Sequence, residues 1–451
     1  MDADVLVAGA GAAGLAAALA AGERGRSVIV LDARQNFRQD SNTSMSTAMI
    51  PAGGSRWQQA LGIDDDRELF YADIIRKTKG AAYEPVARAL TRTAPTLVEW
   101  LADRHGLPLS LATDVDYPGH SRRRCHTVPE RSGQALHGHL LRAIEALPSV
   151  TLAVPMTLQA VEVPGAGPIR AIVSEPGGSP DTIEVGAVVL ATGGFGGNQE
   201  LVRRHLPSIA DAWYFGSAGN NGSAIAIGEN VGADLGYLDA YQGHGSVATP
   251  TGIMVTWTAI MHGGLILNGE GRRFDDETQG YSEYAEKVLA QPTGVCWLVL
   301  DERIDQLCRP FADYARLVES GAIHWAADRD EVASRIGVSV AAVDRTLSDA
   351  DAAARSQVPD AFGRRTWEQP LAAPYGLVRI TGALFHTQGG LLVDEQARVL
   401  EHGRPMRGLY AAGGAAAGMS GHGAAGYLAG NGLLAALGLG FLAGSTSAAV
   451  G

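Results

Sequence analysis

The chain has 451 residues, and a prior of about 150 residues per domain predicts two or three lobes, one of them dominant. Frequent glycine (58 residues), few aromatics and 46% apolar residues describe a globular chain with many tight strand-to-helix turns around a buried sheet. A net charge of -12, with no basic run longer than Arg122-Arg123-Arg124, argues against a nucleic-acid partner.

Met1-Asp2-Ala3-Asp4 is acidic, lacks the basic start of a secretory signal, and leads at once into an apolar run at 5–8 that reads as a strand. Alanine-rich residues 12–24 read as a helix and β-branched residues 27–31 as a second strand. Helical spacing recurs over 68–79, 84–104 and 133–147. Short strands are predicted within 151–173 and over 182–190, where β-branched runs alternate with Pro and Gly. From about 243 the chain changes character: Trp257, Trp297 and Trp325 are spread through it, and polar helical stretches at 330–335 and 340–355 close it. Strand-like runs return at 377–380, 390–393 and 408–412. The last apolar stretch, 432–444, is shorter than the roughly 20 residues that span a bilayer and reads as a buried helix, so no membrane partner is expected. The expected organisation is a Rossmann-like α/β domain in two parts, 1–242 and 356–451, with an inserted α+β capping domain at 243–355. Cys125, Cys296 and Cys308 are odd in number and lack a Cys-x-x-Cys spacing, so they read as reduced thiols in a cytoplasmic protein. No metal site is expected.

Gly9-Ala10-Gly11-Ala12-Ala13-Gly14 follows the first strand and opens the first helix, and Asp32 ends the second strand. Gly9 permits the tight turn, Gly11 lets a pyrophosphate approach the backbone, Gly14 lets helix and strand pack closely, and Asp32 can accept from ribose hydroxyls. Strand, helix, second strand and acidic residue together predict dinucleotide binding. Two further strand-to-glycine turns choose among dinucleotides: one ends in Leu190-Ala191-Thr192-Gly193-Gly194, the other is Gly408-Leu409-Tyr410-Ala411-Ala412-Gly413-Gly414. The three segments in this order resemble the FAD lobe of the two-dinucleotide flavoproteins.

Over nearly its whole length the chain resembles the fumarate reductase and succinate dehydrogenase flavoprotein family and its relatives the 3-ketosteroid dehydrogenases. Ser41-Asn42-Thr43-Ser44, Gly264-Leu265-Ile266-Leu267-Asn268 with Gly271-Arg272-Arg273-Phe274, and His386-Thr387-Gln388-Gly389-Gly390 carry the likeness. The resemblance implies a cap over the flavin and these cofactor-binding residues: Gly9, Gly11, Ala13, Gly14, Asp32, Ala33, Arg34, Ser41, Asn42, Thr43, Ser44, Ala191, Thr192, Gly193, Gly413, Gly430, Asn431 and Leu433. Asn42 stands where membrane-bound members carry the histidine that holds flavin covalently, which implies non-covalent FAD; Gly414 stands where the family has glutamate.

Fumarate reductases hold two carboxylates with histidines and arginines. Here His244 and Thr256 fall on substrate positions, but Trp257 and Ile260 replace the proton relay. Tyr281 stands where the arginine acid should be, Phe385 at a second histidine with His386 beside it, and Tyr427 at a carboxylate-binding arginine. Unpaired buried carboxylates cost several kcal/mol, so these losses disfavour fumarate. The tyrosines resemble those of the 3-ketosteroid dehydrogenases, which implies Tyr281 as proton carrier beside a carbonyl and Tyr427 with the Gly430 amide as its hydrogen-bond donors. The catalytic candidates are therefore Tyr281, Tyr427, His244 and His386. Plainer readings stand beside them: Tyr281 as packing under the cap, His244 as a histidine of a flexible Gln242-Gly243-His244-Gly245 loop, and His386 or His422 as structural. Residues 119–126 read as a solvated basic turn, and Asp275-Asp276-Glu277 as a cap hinge. The expected partners are a small-molecule substrate and an unidentified electron donor or acceptor. A carboxylate-specific reductase using His244, His386 and an arginine near Arg124, and an electron-carrying flavoprotein, are the competing readings.

Overall fold

The computed structural model describes residues 1–114 and 116–448. Its contacts divide the chain into one unit of residues 1–207, 215–241 and 386–451 and a second of 208–214 and 242–385.

In the first unit, parallel strands must be covered on both faces and so consist of near-continuous apolar runs. Ala3–Ala8 pairs in parallel with Val28–Leu31 on one side and with Asp181–Leu190 on the other. Val150–Ala153 extends the sheet beyond Val28–Leu31, and Arg404–Ala411 pairs in parallel beyond Asp181–Leu190. Arg398–Glu401 closes that edge antiparallel. Thus the strands from the beginning, middle and end of the chain lie side by side, each delivering its glycine turn to the same end of the sheet.

The helix Ala12–Gly22 is buried along its whole length, which its small side chains permit. The C-terminal helix Asn431–Ser447 crosses it very closely: a Cβ on Gly440 would lie 2.2 Å from the Ala13 carbonyl oxygen, and one on Gly444 2.1 Å from that of Ala17. Among the described residues no helix is long and apolar enough to cross a membrane.

The second unit is built on a sheet whose centre is the thirteen-residue strand Tyr375–Thr387. It pairs antiparallel with Val295–Asp301 and with His324–Ala326, and in parallel with Trp213–Tyr214. This unit reaches Phe385 and recruits 208–214, whereas the sequence pattern places the end of the insertion at 355. The physical reason is non-local: residues 295–301 pair with 375–381 in register, and no local signal announces that the returning strand belongs with them.

One expectation is corrected here. Gln242-Gly243-His244-Gly245 is no flexible loop but part of a fully buried strand, Tyr241–Ala248. Its glycines serve close approach: a Cβ on Gly243 would lie 2.7 Å from the Ser282 carbonyl oxygen, and one on Gly245 3.1 Å from the Tyr284 backbone. Glu277, in the stretch read as a cap hinge, lies in an ion-pair network. It is fully buried and takes two hydrogen bonds of 2.7 Å from Arg273 and one of 3.1 Å from Arg364. Burial alone would raise its pKa, but Arg273 and then Arg364 hold it below the ordinary carboxylate range. Replacing Glu277 by Gln leaves the buried Arg364 without a carboxylate and Arg273 with Asp360 alone. The expected loss is about 3–5 kcal/mol, to be measured as a lower denaturant midpoint by tryptophan fluorescence.

Candidate active site

The first unit brings the three glycine turns together through backbone contacts that only glycine allows. Gly9 has φ +113°, and a Cβ there would lie 2.2 Å from the carbonyl oxygen of Ala191, so the first and second turns touch. A Cβ on Gly14 would lie 1.8 Å from the Gly9 carbonyl oxygen; one on Gly413 would meet Ala13 Cβ at 3.1 Å, which brings in the third turn. Asp32 closes the first turn: Oδ2 accepts from the Ala10 amide at 2.9 Å and Oδ1 from the Arg34 amide at 3.0 Å. Ala33, between them, is exposed.

Ser41 and Ser44 exchange reciprocal amide-to-hydroxyl bonds of 3.1 Å, and Thr43 Oγ1 accepts from the Ala12 amide at the head of the first helix. Asn42 Oδ1 accepts from the Ser217 amide and from Asn220 Nδ2, both at 2.8 Å. Arg34 donates to Ser217 Oγ at 2.6 Å, and a Cβ on Gly193 would lie 1.9 Å from Asn220 Oδ1. Ser217 and Asn220 therefore tie three of the predicted segments together, although sequence reasoning passes over them. The Gly216-Ser217-Ala218-Gly219-Asn220-Asn221-Gly222 run is the signal that could have flagged them. His137 is likewise missed: it is buried, and its Nε2 lies 2.7 Å from the Ala10 carbonyl oxygen.

Gly430 (φ +83°) heads the C-terminal helix, Asn431 is fully buried behind it, and Leu433 is half-buried. Thr192 Oγ1 and Asn431 Oδ1 are buried polar atoms without a hydrogen-bond partner among the described residues. Both lie in predicted cofactor motifs. A glycine-lined cradle with such atoms fits a dinucleotide, because buried polar groups otherwise find partners.

In the same unit, His386 Nδ1 accepts from Gln388 Nε2 at 3.0 Å, Gln388 Oε1 accepts from Ser420 Oγ at 2.9 Å, and Asn431 Nδ2 reaches Ser420 Oγ at 3.4 Å. His386 Nδ1 also lies 3.4 Å from the Thr387 carbonyl oxygen. The His386 and Tyr427 rings meet edge to face at 5.7 Å, and the Tyr427 hydroxyl accepts from the Gly432 amide at 3.4 Å. Burial pushes the His386 pKa down to about 4. His422 is placed elsewhere, half exposed and bonded to Asp239 at 2.8 Å.

In the second unit, His244 stacks between Tyr281 (ring centroids 5.1 Å, 25°) and Phe385 (5.0 Å, 18°), with Trp257 edge-on at 5.7 Å. Its Nδ1 accepts from the Ser246 amide at 3.3 Å, and burial pushes its pKa down to about 3. Tyr281 begins the helix Tyr281–Leu289 and is half-buried.

The basic run is corrected too. Arg122 and Arg123 are exposed, but Arg124 is fully buried, bonded to Asp65 at 2.8 and 3.0 Å and to Asp73 at 2.5 Å.

A family model described as an FAD binding domain matches residues 4–433. The chain belongs to this family. The NADH:fumarate oxidoreductase of Klebsiella pneumoniae (strain 342) is 29% identical over 432 residues, which cover 93% of this chain but 45% of that protein. A probable fumarate reductase of Shewanella frigidimarina (strain NCIMB 400) is 27% identical, with 93% of this chain and 70% of its own length covered. The chain thus spans about half the length of the first of these relatives. Among solved structures, the open conformation of a flavocytochrome c3 fumarate reductase superposes with a TM-score of 0.79 at 25% identity, covering 99% of this chain and 78% of the other. The 3-ketosteroid-Δ4-(5α)-dehydrogenase of Rhodococcus jostii RHA1, in complex with 4-androstene-3,17-dione, gives 0.76 at 24% identity, with 99% and 96% covered. The first unit of this chain thus carries a Rossmann-like FAD-binding fold, and the whole chain shares its fold with these reductases and dehydrogenases.

The cradle itself supplies a test. In Gly14→Ala the new methyl has no room against Gly9, so the purified protein should be colourless and fail to gain flavin absorbance when FAD is added. In Gly11→Ala the methyl meets only Thr43 Oγ1, at 3.3 Å; the protein should fold with unchanged circular dichroism yet bind FAD more weakly in a fluorescence titration.

Proposed function

We propose that this flavoprotein desaturates or reduces a carbon–carbon bond beside a carbonyl in an uncharged substrate. The observation that carries the reading is the setting of its two candidate substrate histidines, His244 buried among aromatic rings and His386 half-buried against Tyr427. Burial lowers the pKa of His244 to about 3 and that of His386 to about 4, so both are neutral at ordinary pH and bring no positive charge to a carboxylate. His244 is moreover walled by three aromatic rings.

The buried arginines bring no free charge either. The three buried among the described residues are each engaged: Arg124 by Asp65 and Asp73, Arg273 by Glu277 and Asp360, and Arg364 by Glu277 and the carbonyls of Gly264 and Ile260. A ketone needs no cationic clamp; it needs donors for its oxygen and a group that moves the proton at Cα. Tyr427 and the Gly430 amide are the donors in this reading. Tyr281, its ring orientation fixed by stacking on His244, carries the proton. FAD supplies the acceptor or donor of the hydride at Cβ. Glycine-rich turns hold the cofactor through the residues named above, and Asn42 offers an amide where a covalent link would need a ring nitrogen, which supports non-covalent FAD. The substrate is a small molecule, and the electron partner is a separate donor or acceptor. Three buried cysteines without a disulfide support a cytoplasmic location.

The names of the relatives favour a second reading, reduction of an unsaturated carboxylic acid such as fumarate. Anaerobic mixing separates the two. Cyclic ketones should bleach the oxidised flavin, or cyclic enones reoxidise the reduced one, while fumarate and acrylate leave both spectra unchanged; turnover of fumarate with inert enones overturns the proposal. With an active ketone or enone in hand, Tyr281→Phe should lower kcat by about 10²–10⁴ while the flavin stays bound. Unchanged kcat would remove Tyr281 from the reaction.

A further inference from the structure

We propose that His120 is a positioning residue: by gripping the carbonyl of Ala429 it aims the amide of Gly430. The inference rests on the function proposed above, in which that amide helps to bind a substrate carbonyl.

The turn leading into the C-terminal helix is wedged from one side and pulled from another. A Cβ on Gly430 would lie 2.6 Å from Pro51 Cδ and 2.7 Å from the Met49 carbonyl oxygen, so this residue has no room to turn. His120 Nε2 lies 2.9 Å from the Ala429 carbonyl oxygen. A carbonyl oxygen only accepts, so the His120 proton resides on Nε2. Its Nδ1 faces Arg124 Nη1 at 3.5 Å, on the side where a lone pair belongs. Cys125 Sγ, at 3.9 Å, is a second and weaker donor to the same oxygen.

The peptide between Ala429 and Gly430 is a plane, and in the trans form its C=O and N–H point in opposite directions. Fixing the oxygen therefore fixes the line along which the Gly430 proton is presented. Donation to the oxygen also polarises the peptide and strengthens the amide as a donor on its other side. The grip is backed in depth: Arg124 is held by Asp65 and Asp73, and Asp73 also accepts from the Ser121 amide and hydroxyl at 2.7 and 2.8 Å. Burial, helped by Arg124, lowers the His120 pKa to about 4, so the imidazole keeps one proton and one donor direction through the neutral range.

The test uses the FAD-loaded full chain with 2-cyclohexen-1-one as probe. In His120→Ala, deuterium uptake by the amides of 427–431 should rise, and the C=O stretch of the bound probe, read by isotope-edited infrared difference, should move back toward its value in water. Its dissociation constant should weaken about three- to tenfold, the worth of one modest hydrogen bond. His120→Gln, whose side-chain N–H reaches the place of Nε2, should restore all three readings. Unchanged uptake and stretch in His120→Ala overturn the proposal. If Tyr427→Phe moves the stretch and His120→Ala does not, the role of His120 fails while the carbonyl site stands. If neither moves it, or the wild-type protein shows no shift, the carbonyl-binding reading fails, and uptake alone decides whether His120 holds the turn. Should His120→Ala not retain FAD, His120→Asn, whose amide stops short at the place of Nδ1, is compared with His120→Gln. Loss of the shift in Asn with retention in Gln supports the proposal, and equal behaviour of the two overturns it.

Discussion

The structure of the first unit depends on backbone touching backbone where three strands end. Gly9 against Ala191, Gly14 against Gly9, and Gly440 and Gly444 against the helix Ala12–Gly22 are approaches at which a single methyl group would overlap a carbonyl oxygen. Close packing of this kind is unforgiving, because the oxygens are part of strands and helices that cannot yield separately. It also leaves amides and helix ends facing one place, which is what an anionic dinucleotide requires. The cofactor site and the core of the unit are thus one construction.

Charge is handled differently from what a carboxylate-binding site would need. Buried guanidinium groups are each balanced by carboxylates, as the cost of an uncompensated buried ion demands. Burial lowers the pKa of His244 and His386, and the Ser246 amide, donating to Nδ1, sets the tautomer of His244. Such groups can orient a polar uncharged ligand with directional donors, but they offer little to a dianion.

Positioning extends a layer further. The Ala429 carbonyl oxygen lies against His120 Nε2, His120 Nδ1 faces Arg124, and Arg124 is held by two aspartates. A buried chain of hydrogen bonds holds a peptide in direction as well as in place, without moving parts.

What the sequence determined by itself was local. The glycine spacing at 9, 11 and 14, the alanine-rich helix behind it, Asp32 at the next strand end and the two later strand-to-glycine turns are short-range patterns, each dictated by the conformation or approach its own residues permit; they were enough for a dinucleotide, and FAD followed from their resemblance to a known flavoprotein lobe. Tertiary structure alone decided the rest. Gly243 and Gly245 read as flexibility in a string of letters and prove to be clearance for a helix; Arg124 reads as part of a solvated turn and proves to be buried between two aspartates far away in the chain. The strand Tyr375–Thr387 joins the second unit because Val295–Asp301 pairs with it, and Ser217 and Asn220 join the cofactor region because Asn42 reaches them. Pairing partners, burial and the side of a histidine that holds its proton are set by groups remote in sequence, so no local pattern can carry them.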